Sequence, residues 1–177
     1  TPSTRNLRLR GHLTLLRDKR RDDVEADFEW RKDTELAALD ATKPIRPTLD
    51  EYDRYFFGEL NSPSPWSVKL AFDPLHCIHI GKIMYYDIDP IKRQAELGIM
   101  VGNRDYWGQG CGSDAIQSLL LYIFHDTELD RIYLHTLVSN HRAQASFKKS
   151  GFVEVRRLRR DGYDFIFMEV WREPWLQ

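Results

Sequence analysis

AELGIMVGNRDYWGQGCGSDA, residues 95–115, is the stretch that decides the fold. Its first seven residues alternate, with Leu97, Ile99 and Val101 on one face and Glu96 and Met100 on the other, as in a strand. Gly108, Gly110 and Gly112 follow. A helix is then expected from Ser113 or Asp114, with Ala115, Ile116, Leu119, Leu120, Ile123 and Phe124 as its apolar stripe. At such a strand-to-helix junction the missing side chains let backbone N–H groups approach an anion, and the helix's free N–H groups and positive dipole end face the same spot. This reads as a phosphate cradle, with a plain tight turn as the alternative. The loop lacks the Lys-Ser/Thr of a P-loop. Asp130, near the spacing at which a dinucleotide fold places its acidic residue, reads instead as the loop before a strand.

Working outward, 131–138 reads as another strand, followed by a helix from Asn140 to Ser150 that Gly151 ends in the position of a left-handed cap. Strands around 153–158 and 163–171 meet at Asp161-Gly162, a strong hairpin signal. Upstream, residues 13–17 read as a first strand and Asp22-Asp23 as the acidic first turn of a helix. Thr48-Leu49-Asp50-Glu51 is a capping box that opens a second helix. Residues 66–72 and 78–86 read as two strands rich in aromatic and β-branched residues. The order β-α-α-β-β-β-α-β-α-β-β argues for a mixed α/β fold with one central sheet and helices on both faces. Residues 1–10 read as an N-terminal extension and 11–177 as one domain.

The chain has 177 residues, with 26 Lys and Arg against 27 Asp and Glu, a net charge of −1. That length buries enough surface for a core without disulfides, and two cysteines are too few for a disulfide framework or a thiolate zinc module. No apolar run approaches the ~18 residues of a membrane span, and TPSTRNLRLR lacks the apolar stretch of a signal peptide. The cytoplasm is the expected compartment. A balanced charge argues against wholesale nucleic-acid binding, and neither nucleic acid nor membrane is expected as a partner.

With these segments in order, the chain resembles the GCN5-related N-acetyltransferase (GNAT) superfamily, in its ribosomal-protein-alanine and spermidine acetyltransferase-like branch. The carrying segments are 95–115, RIYLHTLVSNHRAQASFKKSGF (131–152), RRDGYDFIFMEVWREPW (159–175) and LLRDKRRDDVEADFEWRKD (15–33). The resemblance implies acetyl-CoA as co-substrate, an amine acceptor (a protein N-terminus or a small molecule), no metal, and a homodimer as one open assembly. It implies that the strand 95–101 splays from its neighbour at a bulge, so that backbone groups near Met100 and Val101 pair with the pantetheine arm. The loop Gly108, Gln109, Gly110, Cys111, Gly112 and Ser113 would hold the pyrophosphate, and Asn140 would contact the pantetheine or the diphosphate. Seven residues after that asparagine, where the family commonly has a tyrosine, stands Phe147, on the same helical face as Asn140. Phenylalanine carries no acidic proton, which leaves two readings: catalysis without that acid, or a non-catalytic acyl-CoA-binding module.

His135, mid-strand and opposite in facing to Leu134 and Thr136, suits proton transfer near neutral pH, as does Glu96 through water. A backbone-satisfied histidine and a rim carboxylate are the competing readings. Trp30, Asp33 and Glu35 lie where the resemblance places an acceptor-side helix, and with Tyr85, Tyr86, Asp87 and Asp89 they read either as an aromatic and acidic pocket for an amine or as ordinary core aromatics and surface acids; Trp30, Asp33 and Tyr85 are the expected substrate contacts. His76 and His79 lie three apart on a strand and face opposite sides, so chelation is not expected. Cys111 reads as a packing residue. Arg156, Arg157, Arg159 and Arg160 read as a solvated strand edge divided between two faces.

Overall fold

The computed structural model describes residues 6–75 and 78–177. The strands are β1 (Arg8–Arg10), β2 (Thr14–Asp18), β3 (Val68–Pro74), β4 (Gly81–Asp89), β5 (Gln94–Val101), β6 (Arg131–Leu137), β7 (Val153–Arg160) and β8 (Tyr163–Trp171). The helices are α1 (Val24–Lys32), α2 (Thr34–Leu39), α3 (Leu49–Asn61), α4 (Cys111–Asp126), α5 (His141–Lys149) and α6 (Arg172–Leu176). All strands join one mixed sheet in the order β1-β2-β3-β4-β5-β6-β8-β7. The expected succession is present with three additions, β1, α2 and α6. Because β1 pairs with β2, residues 8–10 form the sheet edge and are not merely an extension.

Every neighbouring pair is antiparallel except β5 and β6. Those two are parallel through Gln94–Arg131, Ala95–Ile132 and Glu96–Tyr133 only, and then part. Gln144 on α5 donates to the carbonyls of Leu137 and Val138, which fixes the far end of β6 to α5.

Alternation divides the sheet into two faces. On one, Leu16, Phe72, Ile83, Ile132, Leu134 and Ile166 pack with Ile116, Leu119, Leu120 and Ile123 of α4, all essentially inaccessible to solvent. The opposite face is more polar. There α1 is fixed to α3 by a small cluster of Val24, Phe28, Tyr52 and Phe56, and to the sheet by buried charges. Arg17 pairs with Asp23 and Asp73, both at 2.7 Å. His79 bridges Asp73 at 3.1 Å and Asp27 at 3.4 Å, while Lys19 reaches Asp27 at 2.6 Å. Asp27 is fully buried, and a buried carboxylate is tolerated only with such partners. His79 is thus committed to carboxylates, while His76 lies outside the described residues.

Burial alone would raise the Asp27 carboxyl, but hydrogen bonds from His79 and Lys19 hold it down at about 2. Such a group stabilises the fold above its unfolded pKa of about 3.9 and ceases to as pH falls toward 2. Burial would lower the His79 pKa, yet Asp27 and Asp73 outweigh it and raise it. Its contribution is complete below about pH 6.5 and is lost as pH climbs through the raised value. Urea midpoints should therefore plateau between about pH 4 and 6.5 and fall on both sides. Asp27→Asn, which removes the carboxylate facing Lys19 and leaves His79 with Asp73 alone, should cost about 3–5 kcal/mol and flatten the acid limb. An acid limb unchanged in that variant contradicts this account of α1 docking.

Candidate functional site

The register of β5 on β4 decides which backbone groups face the gap. Gly102 N–H donates to Ile80 C=O at 2.8 Å, and the pairing continues with Met100 opposite Lys82. In an antiparallel ladder bonded pairs recur every second residue, so the Met100 backbone is committed to β4 while Ile99 and Val101 turn theirs outward. Val101 therefore turns its backbone groups toward the gap, whereas the Met100 backbone is held by β4, although Met100 is among the residues that line the cleft. The only register shift of β5 against β4 lies at Tyr86–Asp89, away from the gap; the splay is from β6. The Val101 carbonyl accepts the Trp107 indole N–H at 2.7 Å, and the Arg142 guanidinium lies 3.4 Å over the Trp107 ring.

The gap opens onto the start of α4. That helix begins at Cys111, two or three residues before the expected start, because Gly110 takes a left-handed φ of +84° as its N-cap. The first-turn amides of Cys111, Gly112 and Ser113 thus lack helical carbonyl partners. Gly108 is also left-handed, at φ +73°, and a Cβ there would project into open space. Asp114 accepts from the N–H groups of His12, Leu13 and Thr14 and from the Thr14 hydroxyl, so its charge is spent fixing the β1–β2 loop to α4.

One cleft unites these groups. Met100, Val101, Gly108, Gly110, Cys111, Gly112, Asn140 and Phe147 all line it, with Leu36, Leu39 and Asp40 of the α2 end as its other wall. Asn140 caps α5 through its Oδ1, which accepts the Ala143 N–H, and Phe147 is buried edge-on to Phe152. Two of the expected residues serve the loop and not the cleft surface. Gln109 donates to the Asp105 carbonyl, and the Ser113 side chain is buried in α4. Burial, aided by Asp114, pushes the Cys111 thiol pKa up, as suits packing and not nucleophilicity.

A second, polar cavity lies on the opposite sheet face. Asp40, Ala41, Thr42, Tyr86, Glu96, His135, Arg160, Asp161, Tyr163 and Phe165 line it, so Asp40 is common to both cavities. His135 Nδ1 and Glu96 Oε2 are 2.8 Å apart, both largely buried. Tyr86 hydrogen-bonds Glu96, and burial together with that carboxylate raises its phenol pKa, keeping it protonated.

The expected substrate contacts are corrected here. Tyr85 faces the apolar core at 3% exposure, one residue out of phase with Tyr86, which does reach the polar cavity. Trp30 packs on the His79 ring and against Gly102. Asp33 caps α2 through the Leu36 N–H and pairs with Arg104. Neither lines either cavity. Asp40 and the Arg160–Tyr163 turn were not foreseen, since only the tertiary fold brings them to Glu96. Among the described residues no group of His, Cys, Asp and Glu is arranged to hold a metal, and no helix is long and apolar enough to cross a membrane.

Comparison with known proteins agrees with this geometry. The acetyltransferase (GNAT) domain family matches residues 14–153. YdaF of Bacillus subtilis, a candidate ribosomal N-acetyltransferase, is 26% identical over 60% of this chain and 59% of its own length. A spermidine N(1)-acetyltransferase of Vibrio cholerae is 35% identical over 45% of each chain. The matched segment thus spans about half the length of these relatives. Among solved structures, a spermidine N-acetyltransferase from Vibrio cholerae in complex with CoA and spermine superposes with a TM-score of 0.81 at 22% identity, covering 93% of this chain and 98% of that one. A GNAT-family acetyltransferase from Bacillus anthracis gives 0.79 at 17% identity, over 94% and 99%. The parted β5 and β6, the glycine-opened α4 and the family match across residues 14–153 lead to one conclusion: this chain belongs to the acetyltransferase (GNAT) family.

Proposed function

We propose that the protein is an acetyl-CoA-dependent N-acetyltransferase. The observation that carries this reading is that two cavities, one ending on glycine-freed amides and one holding a Glu–His pair, share Asp40. The cleft fits the cofactor: its two left-handed glycines keep side chains from the loop, and Ile99 and Val101 offer backbone groups to an amide-bearing chain. When bound, acetyl-CoA supplies the acetyl group and a thiolate leaving group.

Each residue then has a task. The amides of Cys111, Gly112 and Ser113, with the α4 dipole, hold the pyrophosphate. The Val101 N–H is the donor suited to the thioester oxygen, its carbonyl being taken by Trp107. Glu96 accepts a hydrogen bond from Nδ1–H of His135, which leaves the lone pair on Nε2 to take the acceptor's proton, and Tyr86 steadies Glu96 from its other side. Glu96 is therefore the orienting residue and His135 the base. No acid is required at Phe147, because a thiol of pKa ~8.5 leaves readily as thiolate.

Acceptor basicity favours an α-amine. Neutralising a lysine-like amine of pKa ~10.4 at pH 7 costs about 4.6 kcal/mol, against about 1 kcal/mol for an α-amine near 7.8. A protein or peptide N-terminus is the acceptor that this base serves best. A soluble, cytoplasmic setting, where acetyl-CoA is available, is part of the same proposal.

Gly110→Asp introduces charge and a strained left-handed side chain at the cradle. CoA affinity measured by calorimetry should collapse while circular dichroism stays native; unchanged affinity contradicts the cradle. With free-thiol release as the assay, His135→Ala and Glu96→Gln should each lower kcat/KM about 10²–10⁴-fold and displace its pH profile. Phe147→Tyr should keep or raise activity. If wild type binds acetyl-CoA but acetylates no amine up to pH 9, and Phe147→Tyr gains transfer, the protein is a binding module instead.

A further inference from the structure

The arginine run of β7 is divided by its two faces into unlike pairs. Arg157 is paired with Glu154 at 3.2 Å and Arg159 with Asp164 at 3.5 Å. Arg156 and Arg160, on the other face, have no carboxylate within ion-pair reach among the described residues. Each guanidinium instead lies over an aromatic ring of β8, Arg156 over Phe167 at 5.1 Å and Arg160 over Phe165 at 5.3 Å. Stacking holds the two cations in place without neutralising them.

Their position gives this a purpose. Phe165 and Arg160 line the polar cavity itself. Register aligns His135 with Phe167 and Phe167 with Arg156 across three neighbouring strands, so Arg156 stands about 10 Å from His135 at strand spacing. An extended chain whose first residue is at His135 covers that distance with its third or fourth residue, at about 3.3 Å per residue. A small acceptor would meet Arg160 alone; a polypeptide would meet both.

We infer that Arg156 and Arg160 form a docking row for the acceptor, which is a polypeptide N-terminus carrying Asp or Glu at its third to fifth positions. The inference rests on the proposed acetyl transfer and selects its substrate class. Inside the cavity a polycation such as spermidine meets Asp40, Glu96 and Asp161, but along β7 it meets only the unneutralised arginines, whereas peptide carboxylates complete both pairs. Surface pairs of this kind are individually modest, and two of them support about a tenfold preference that falls as salt rises.

The test uses three peptides with one N-terminus, Ala-Gly followed by Glu-Glu, Gln-Gln or Lys-Lys, together with spermidine. Thiol release gives kcat and KM, and fluorescence anisotropy of labelled peptides on the CoA-loaded protein gives binding separately from turnover. The acidic peptide should show about tenfold lower KM than the neutral one, with the basic peptide and spermidine poorer still. The preference should vanish in the Arg156→Ala, Arg160→Ala double variant and reverse in Arg156→Glu, Arg160→Glu. Thiol release that ignores peptide charge overturns the docking row but leaves the transferase reading intact. Acidic peptides that bind selectively without turnover keep the row and remove the transferase reading. If a short RNA displaces the peptide while peptide charge has no effect, the row serves a polyphosphate and the inference fails.

Discussion

Two parallel strands stop pairing after three residue pairs, and the site depends on that break. Beyond Glu96 and Tyr133, the outward backbone groups of Ile99 and Val101 have no strand to bond. These half-exposed groups, apart from the Val101 carbonyl that Trp107 occupies, are left to water or to a partner with its own amides. The break persists because both ends are held elsewhere. β5 is laddered to β4 without interruption from Glu96 to Val101, while Gln144 draws the end of β6 to α5.

The same break couples the two faces of the sheet. A ligand in the gap lies at the level of the sheet, with α4 and α5 on one side and the polar cavity on the other. Asp40 lines both cavities at that boundary. Alternation then sorts the chemistry: even-numbered residues of β5 and odd-numbered residues of β6 share the polar face, which is how Glu96 and His135 come within 2.8 Å. Burial of that pair limits its contact with water, and the carboxylate fixes the orientation of the imidazole.

Much of this was legible in the sequence. The strand, glycine loop and helix of 95–126 carry local signals in alternation, glycine spacing and an apolar stripe, and the structure follows them, with α4 starting two or three residues early at a glycine N-cap. Glu96 and His135 were legible as mid-strand polar residues. What failed was tertiary. Tyr85 and Tyr86 are both plausible in a strand of unknown phase, and a slip of one residue exchanges core for cavity. Trp30 and Asp33 look like pocket residues because aromatic and acidic groups also serve structure, here in packing on Gly102 and pairing with Arg104. The difference between Arg156 and Arg157 is invisible in a run of arginines, since it depends on a β-bulge between Glu154 and Arg156, which leaves Glu154 beside Arg157.

The central claim is that the cofactor completes the interrupted sheet and is held by the first turn of α4. Backbone amide hydrogen exchange, with and without CoA, tests it most directly. The account predicts slowed exchange at Ile99, Val101, Cys111, Gly112 and Ser113, with Met100 slow in both states because β4 already holds it. Protection that appears with CoA on other strands while these amides continue to exchange freely would contradict it.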